Sequence, residues 1–269
     1  MTKRFGYAVL AFVLAVTVLW FNEYLRELPK EDIYAESVLH EGDTKLQYLP
    51  GSTTGQVVHH GTYSLSYNET HEQAEWVAYE LKKTHLSNLN LKRPYFEIDP
   101  IVKTGAAHWR NYKNSGYDRG HLCPAGDRKY SVEAYNETFL TSNISPQNHY
   151  FNAGVWNRLE QQTRRWANIY KDLFVVTGGV LTENLKTIGE EQVSVPEYFY
   201  KIVFNISSQE PKLIAFLIPA QESSAPLNNF VVSVDSLEEM TGIDFFPELE
   251  DSLETTLEAS VDYSDWEFR

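Results

Sequence analysis

Thiols are nearly missing from this chain, with one cysteine, Cys123, in 269 residues. No intrachain disulfide can form and no Cys-rich zinc site can be built, so cysteine usage leaves the redox compartment unread. Positive charge is also short: 23 Lys and Arg face 37 Asp and Glu, a formal net charge of −14. That average argues against a nucleic-acid partner, because phosphate binding is driven by cationic side chains that release counterions. No internal repeat is present. Aromatics are plentiful (17 Tyr, 14 Phe, 6 Trp), which excludes a disordered chain. The length suits one large domain with extensions and is enough to bury a core.

The charge is segregated rather than uniform. Between residues 103 and 171 the basics, among them Arg110, Arg119, Arg128, Arg158, Arg164 and Arg165, outnumber the acids, whereas from Asp244 onward Arg269 is the only base. The acidic end reads as a solvated, partly disordered tail. At the other end, Lys3 and Arg4 precede an apolar run over residues 5–21, near the short limit for crossing a bilayer. The run lacks a polar face and a convincing small-residue cleavage site. An uncleaved signal-anchor, or failing that a signal peptide, is therefore expected, with the body exported to the periplasm, the cell surface or the medium.

Pro29, Pro50 and the GSTTG stretch at 51–55 punctuate a linker, after which the body begins. Residues 57–67 alternate like one strand and residues 74–81 answer as its hairpin partner. A strand then a loop is expected over 117–128, a short helix over 131–139, and a long helix from about 147–152 to 170. Strands follow at 173–180, 198–206 and 212–219, the last two joined by a turn at 209–211. A helix beginning at Ser236 should bury Leu237, Met240 and Ile243. The class is α+β, rich in antiparallel hairpins.

Two constellations carry chemistry. The first is Asp118-Arg119-Gly120-His121 within YDRGHLCPAGDR. On a strand, Arg119 and His121 share a face and Asp118 takes the other, where it is better placed to anchor than to react. Arg119 offers forked donors that match a phosphate, His121 accepts a proton near neutral pH, and Gly120 lets a neighbour approach closely. Alone the tetrad is a weak signal, since a surface histidine beside a surface ion pair reads the same. The second constellation spans residues 141–166. Asn143 with Ser145 and Pro146 reads as a turn and cap, and Asn152, Trp156, Glu160 and Arg164 recur every four residues along the helix. An unbroken helix puts Asn152 and Glu160 about 12 Å apart along its axis, too far for both to ligate one small ion. The consistent arrangement has Asn152 on the metal and Glu160 on a metal-bound water, which suits hydrated magnesium. His59 and His60 point to opposite sides of a strand and are a poor metal pair, while His108 and His149 read as surface histidines.

These residues resemble the DNA/RNA non-specific endonuclease family. The resemblance rests on Asp118-Arg119-Gly120-His121, on residues 143–147 (Asn-Ile-Ser-Pro-Gln), and on Asn152, Trp156, Leu159 and Glu160. Weaker echoes lie around Arg93, Phe96 and Asp99, at Tyr200 and Lys201, and at residues 241–246. It implies a ββα-metal (His-Me finger) fold, a central antiparallel sheet flanked by helices. It implies a sequence-non-specific endonuclease that hydrolyses DNA and RNA to 5′-phosphate ends with Mg2+ or Mn2+. His121 is then the general base, Asn152 the metal ligand and Glu160 the residue orienting a metal-bound water. Arg119 and Arg164 meet the phosphate, Arg93 and Asn143 are counted with the substrate contacts, and Asp118 and Gly120 give structural support. The implied organisation is a signal-anchor or signal peptide at 1–30, a linker at 31–55, the nuclease domain at 56–249 and an acidic tail at 250–269. Expected partners are the DNA and RNA backbone and, through an uncleaved N-terminus, the membrane; a homodimer and an inhibitor protein stay open. A small-molecule phosphodiesterase and a catalytically silent nucleic-acid-binding surface module are the rival readings.

Overall fold

Strand-forming segments rich in Val, Ile, Phe and Tyr build a seven-stranded antiparallel sheet in the computed structural model, which describes residues 46–87, 89–206 and 211–268. Its strands are β1 (Val57–His59), β2 (Ser64–Asn68), β3 (Gln73–Lys82), β6 (Asp172–Gly179), β9 (Tyr198–Asn205), β10 (Lys212–Pro219) and β11 (Val231–Val232), and they lie side by side in that order. A separate ribbon pairs β4 (Asp118–His121) with β5 (Ile144–Gln147), and a small hairpin pairs β7 (Thr187–Ile188) with β8 (Val193–Ser194). The helices are α1 (Val132–Glu137), α2 (Asn157–Tyr170), α3 (Val234–Thr241) and α4 (Asp251–Glu258).

The alternation of the strands sorts their side chains into two cores. Val77, Tyr79, Val175, Val203 and Phe216 pack on one face with Trp156, Leu159 and Trp166 of the α2 segment. Trp76, Phe174, Val176, Ile202 and Phe204 pack on the other with Val234 and Leu237 of α3 and with Phe245 and Phe246. The catalytic candidates sit with the first core.

Several local expectations change. Residues 57–67 are not one strand: a break at Gly61 and Thr62 folds β1 back on β2, with Val58 opposite Leu65. Residues 144–147 form a strand rather than a helix cap, and the capping oxygen belongs to Asn148, whose Oδ1 accepts from the N–H groups of Tyr150 and Phe151. In α3 the buried residues are Val234 and Leu237, whereas Met240 is 41% exposed; Gly242, at φ +70°, ends the helix and Ile243 is buried just beyond it. The turn expected at 209–211 falls largely outside the described residues.

Both ends of the described chain are attached to the body. Within the expected linker, Gly51 N–H donates to Asp244 O and Gly51 O accepts from Trp76 Nε1. The acidic end is not a solvated tail. Trp266 is 4% exposed and stacks edge-on against Trp166 at 4.8 Å, while Glu267 O accepts from Trp166 Nε1 and Gln162 Nε2. Counting charges hid two aromatics, Trp266 and Phe268, whose burial against α2 decides the conformation.

Candidate active site

Asp118, at the start of β4, is the hub. Its Oδ2 accepts from Asn152 Nδ2 at 3.0 Å and lies 3.0 Å from His149 Nδ1. A carboxylate can only accept, so it draws the NH2 end of the Asn152 amide and leaves the amide oxygen available to a cation. A neutral oxygen beside a charged second partner suits a hard, hydrated divalent ion, so the residues present fit magnesium. Asn152 opens a π turn (Asn152–Trp156) in which Gly154 leaves helical geometry at φ −98° and ψ −108°. The 12 Å estimate for an unbroken helix does not carry across that turn, which departs from α-helical geometry between Asn152 and α2.

Gly120 is required by packing. A Cβ there would fall inside the side chain of Gln147, which is buried and crosses β4 at that point. At the far end of the ribbon, His121 packs against two aromatic rings, Phe96 at 5.5 Å and Phe139 at 4.9 Å. The same rings carry two guanidinium groups. Arg119 lies 5.0 Å from the Phe96 centroid, and Arg93 lies 5.7 Å from Phe96 and 5.4 Å from Phe139. Arg93, Arg119 and His121 are thus one cluster, with Arg119 and His121 on a shared face of β4 and Asp118 turned to Asn152. His121 Nε2 is buried and has no hydrogen-bond partner among the described residues. Burial, aided by the Arg93 charge, pushes the His121 pKa down to about 3, so the imidazole is neutral.

A second polar cluster surrounds α2. Arg164 Nη1 donates to Asp127 Oδ1 at 2.7 Å and lies 3.9 Å from Glu160 Oε2. Asp127, itself buried, also accepts from Tyr79 OH at 3.1 Å. Lys201 of β9 is fully buried, its ammonium has no hydrogen-bond partner among the described residues, and it lies 5.0 Å from the Trp156 ring. Burial pushes the Glu160 carboxyl up to about 7, against the opposing charges of Arg164 and Lys201. Burial likewise lowers the Lys201 pKa, with Glu160 and Asp127 holding it up.

The structure corrects three expectations about the site. Asn143 cannot touch substrate: it is fully buried, its Nδ2 donates to Cys123 O and Thr138 O, and its Oδ1 accepts from Cys123 N–H. It clasps the loop that follows His121. The basic island is partly structural, since Arg128 is buried and donates to Thr62 O and Glu80 O while Arg158 donates to Ser223 O and Ala225 O. His149 is exposed but bonded to Asp118, rather than a free surface histidine. Asp127 and the ring of Phe96 were missed as site residues, although both lie inside or beside the quoted motifs. Lys201 stood only as a weak echo.

The model of the DNA/RNA non-specific endonuclease family matches residues 41–252. A mitochondrial nuclease EXOG of Danio rerio is 40% identical over 207 residues, covering 69% of this chain and 59% of that protein. The Mus musculus protein of the same name is 35% identical over 232 residues, covering 80% of this chain and 62% of the relative. This chain therefore spans roughly three-fifths of the length of these relatives. A crystal structure of an EndoG/EndoGI complex matches with a TM-score of 0.68 at 29% identity, covering 74% of this chain and 88% of that one. The mitochondrial relatives overturn the expectation of an exported or membrane-anchored protein. Among the described residues no helix is long and apolar enough to cross a membrane, and the apolar run at 5–21 lies outside them.

Proposed function

Because this chain belongs to the DNA/RNA non-specific endonuclease family, we propose that it is a metal-dependent endonuclease that hydrolyses DNA and RNA without reading sequence. One observation carries the reading: the Asp118–Asn152 hydrogen bond ties the residue fitted to hold a cation to the same short strand that ends in Arg119, Gly120 and His121.

The His121 imidazole takes a proton from water as the water oxygen bonds to phosphorus; the P–O3′ bond breaks, giving a 5′-phosphate and a 3′-hydroxyl that takes its proton from solvent. An imidazole that burial, and to a lesser degree the Arg93 charge, holds at a pKa of about 3 is a weak acceptor; an arriving phosphate anion offsets the Arg93 part, so basicity rises on binding. Arg119 and Arg93, held over Phe96, meet the phosphate oxygens with forked donors. Asn152, helped by Asp118, would hold Mg2+ or Mn2+, and Glu160 would orient one of its waters. The bound ion supplies neutralisation of the charge that grows on the leaving oxygen. None of these contacts touches a base edge, which supports low sequence specificity. An inhibitor protein, such as EndoG meets in the EndoG/EndoGI complex, and a second copy of the chain belong to the proposed partners.

Plasmid nicking, with duplex, single-stranded DNA and RNA compared in parallel, tests the reading. Cleavage should need Mg2+ or Mn2+ and stop in EDTA; His121→Ala should lose at least about 10²-fold. Asn152→Ala should recover partly at high metal concentration. Cleavage that survives EDTA, or a His121→Ala protein near parental rate, refutes the assignment.

A further inference from the structure

On the face of the sheet away from the nuclease residues, three carboxylates converge. Asp235 lies in the first turn of α3, Glu238 one turn on, and Glu258 is the last residue of α4. One oxygen of each lies within 4.8 Å of the others. Ligand oxygens on a calcium ion sit 2.3–2.6 Å from it, so opposed pairs are about 4.6–5.2 Å apart, and the three fit one coordination shell.

Acidic clusters on a surface need no ion, but Glu258 is not on the surface. It is 4% exposed, and its Oε1 is buried with no hydrogen-bond partner among the described residues. None of the three carboxylates pairs with a basic side chain there. The end of α4 adds to the problem, because a helix C-terminus carries negative partial charge and repels a carboxylate. Burial, then the charges of Glu238, Glu254, Asp235 and Asp244, push the Glu258 carboxyl up to about 8. Two solutions exist for such a group, a proton or a cation. The buried Oε1 of Glu258 has no partner at hydrogen-bond distance among the described residues, and oxygens within 4.8 Å of one another are close enough to share one ion.

We propose that Asp235, Glu238 and Glu258 form a divalent-cation site, suited to calcium, that pins α4 to α3. Calcium accepts an irregular shell of carboxylates and water, whereas magnesium demands near-octahedral geometry and keeps its waters. Glu238 is preset for the task, since its Oε1 accepts from Phe245 N–H at 2.8 Å and the carboxylate is held in place. The site is structural and separate from the phosphodiester chemistry. Its cation stabilises the C-terminal segment, whose last turn ends on Trp166.

The test uses the full chain, stripped of metal, with Asn152→Ala in every sample to weaken binding at the nuclease site. CaCl2 is titrated while the unfolding midpoint is followed, and binding heats are measured by calorimetry. A single calcium per chain is expected, raising the midpoint by about 5 °C or more at a hundredfold excess over its dissociation constant. MgCl2 at the same concentration should give a smaller shift. Both signals should vanish with Glu258→Gln and with Asp235→Asn. The second substitution is at an exposed position and keeps the test intact if the first does not fold. No calcium-dependent shift in the parent, or an equal shift in Asp235→Asn, overturns the site. A metal-blind parent that Glu258→Gln stabilises would show that the cluster is held by a proton instead. Failure here leaves the nuclease reading untouched, because cleavage is not the readout.

Discussion

Asp118→Asn should weaken the metal site without removing any ligand. In the parent, the Asp118 carboxylate accepts from Asn152 Nδ2 at 3.0 Å and so selects one face of the amide. A neutral amide at 118 can donate or accept, and the Asn152 side chain is then free to flip its NH2 towards the cation. Hydrogen bonds to a charged group contribute about 1.5–3 kcal/mol. Loss of a partner behind a metal ligand typically costs 10–100-fold in metal affinity, about 1.4–2.8 kcal/mol at 1.4 kcal/mol per decade. The two ranges agree, so the Mg2+ concentration for half-maximal nicking should rise about 10–100-fold. At saturating Mg2+ the rate should return towards the parent's, because Arg119 and His121 rest on Phe96 and Phe139 rather than on Asp118. Initial nicking rates across a Mg2+ titration measure this, with thermal melts as the folding control. An unchanged half-saturation, or a loss that no Mg2+ concentration restores, refutes the orienting role.

Glu160→Gln should abolish most cleavage yet stabilise the metal-free protein at alkaline pH. The folded carboxyl is raised from 4.5 to about 7, so the stability it confers is complete below pH 4.5 and is lost as pH rises through 7. The variant should therefore exceed the parent by about 3 kcal/mol at pH 8 and by little at pH 4.5, at 1.36 kcal/mol per pKa unit. Urea unfolding at both pH values checks it, and a pH-independent difference would contradict it. Gly120→Ala should cost about 1–3 kcal/mol and reduce cleavage, since the added methyl meets the buried Gln147 side chain. Adding Gln147→Ala should recover part of that stability, and strict additivity in the double-mutant cycle would argue against the collision. Trp266→Ala should cost about 3–5 kcal/mol, because it removes the ring that covers Trp166. A midpoint that does not move would mean the C-terminal segment contributes nothing to the body.

Much of the fold was legible because the strands announce themselves: β6 and β10 are largely apolar runs bounded by turn residues, and β9 is one interrupted by Lys201. The site candidates were legible where chemistry demands rare neighbours, as at Arg119 and His121. The misses share a cause, which is that tertiary partners are invisible in a linear string. Asn143 looks like a polar group awaiting substrate until Cys123 and Thr138 are seen to use up its amide. Arg128 looks like a phosphate contact until Tyr79 lies under it at 4.7 Å. The acidic C-terminus looks like a solvated run until its two aromatics find α2. The reversal at Gly61 was hidden because nothing in the string shows that Val58 and Leu65, seven positions apart and so on opposite faces of a continuous strand, pair on one face instead.

The lone thiol offers a use that follows from where it sits. Cys123 is fully buried two residues beyond His121, and burial pushes its pKa up to about 12. An alkylating reagent therefore meets neither a thiolate nor an open path while the Asn143 clasp is closed. The rate at which such a reagent labels the native protein is a clock for the opening of that one loop, free of interference from any other sulfhydryl.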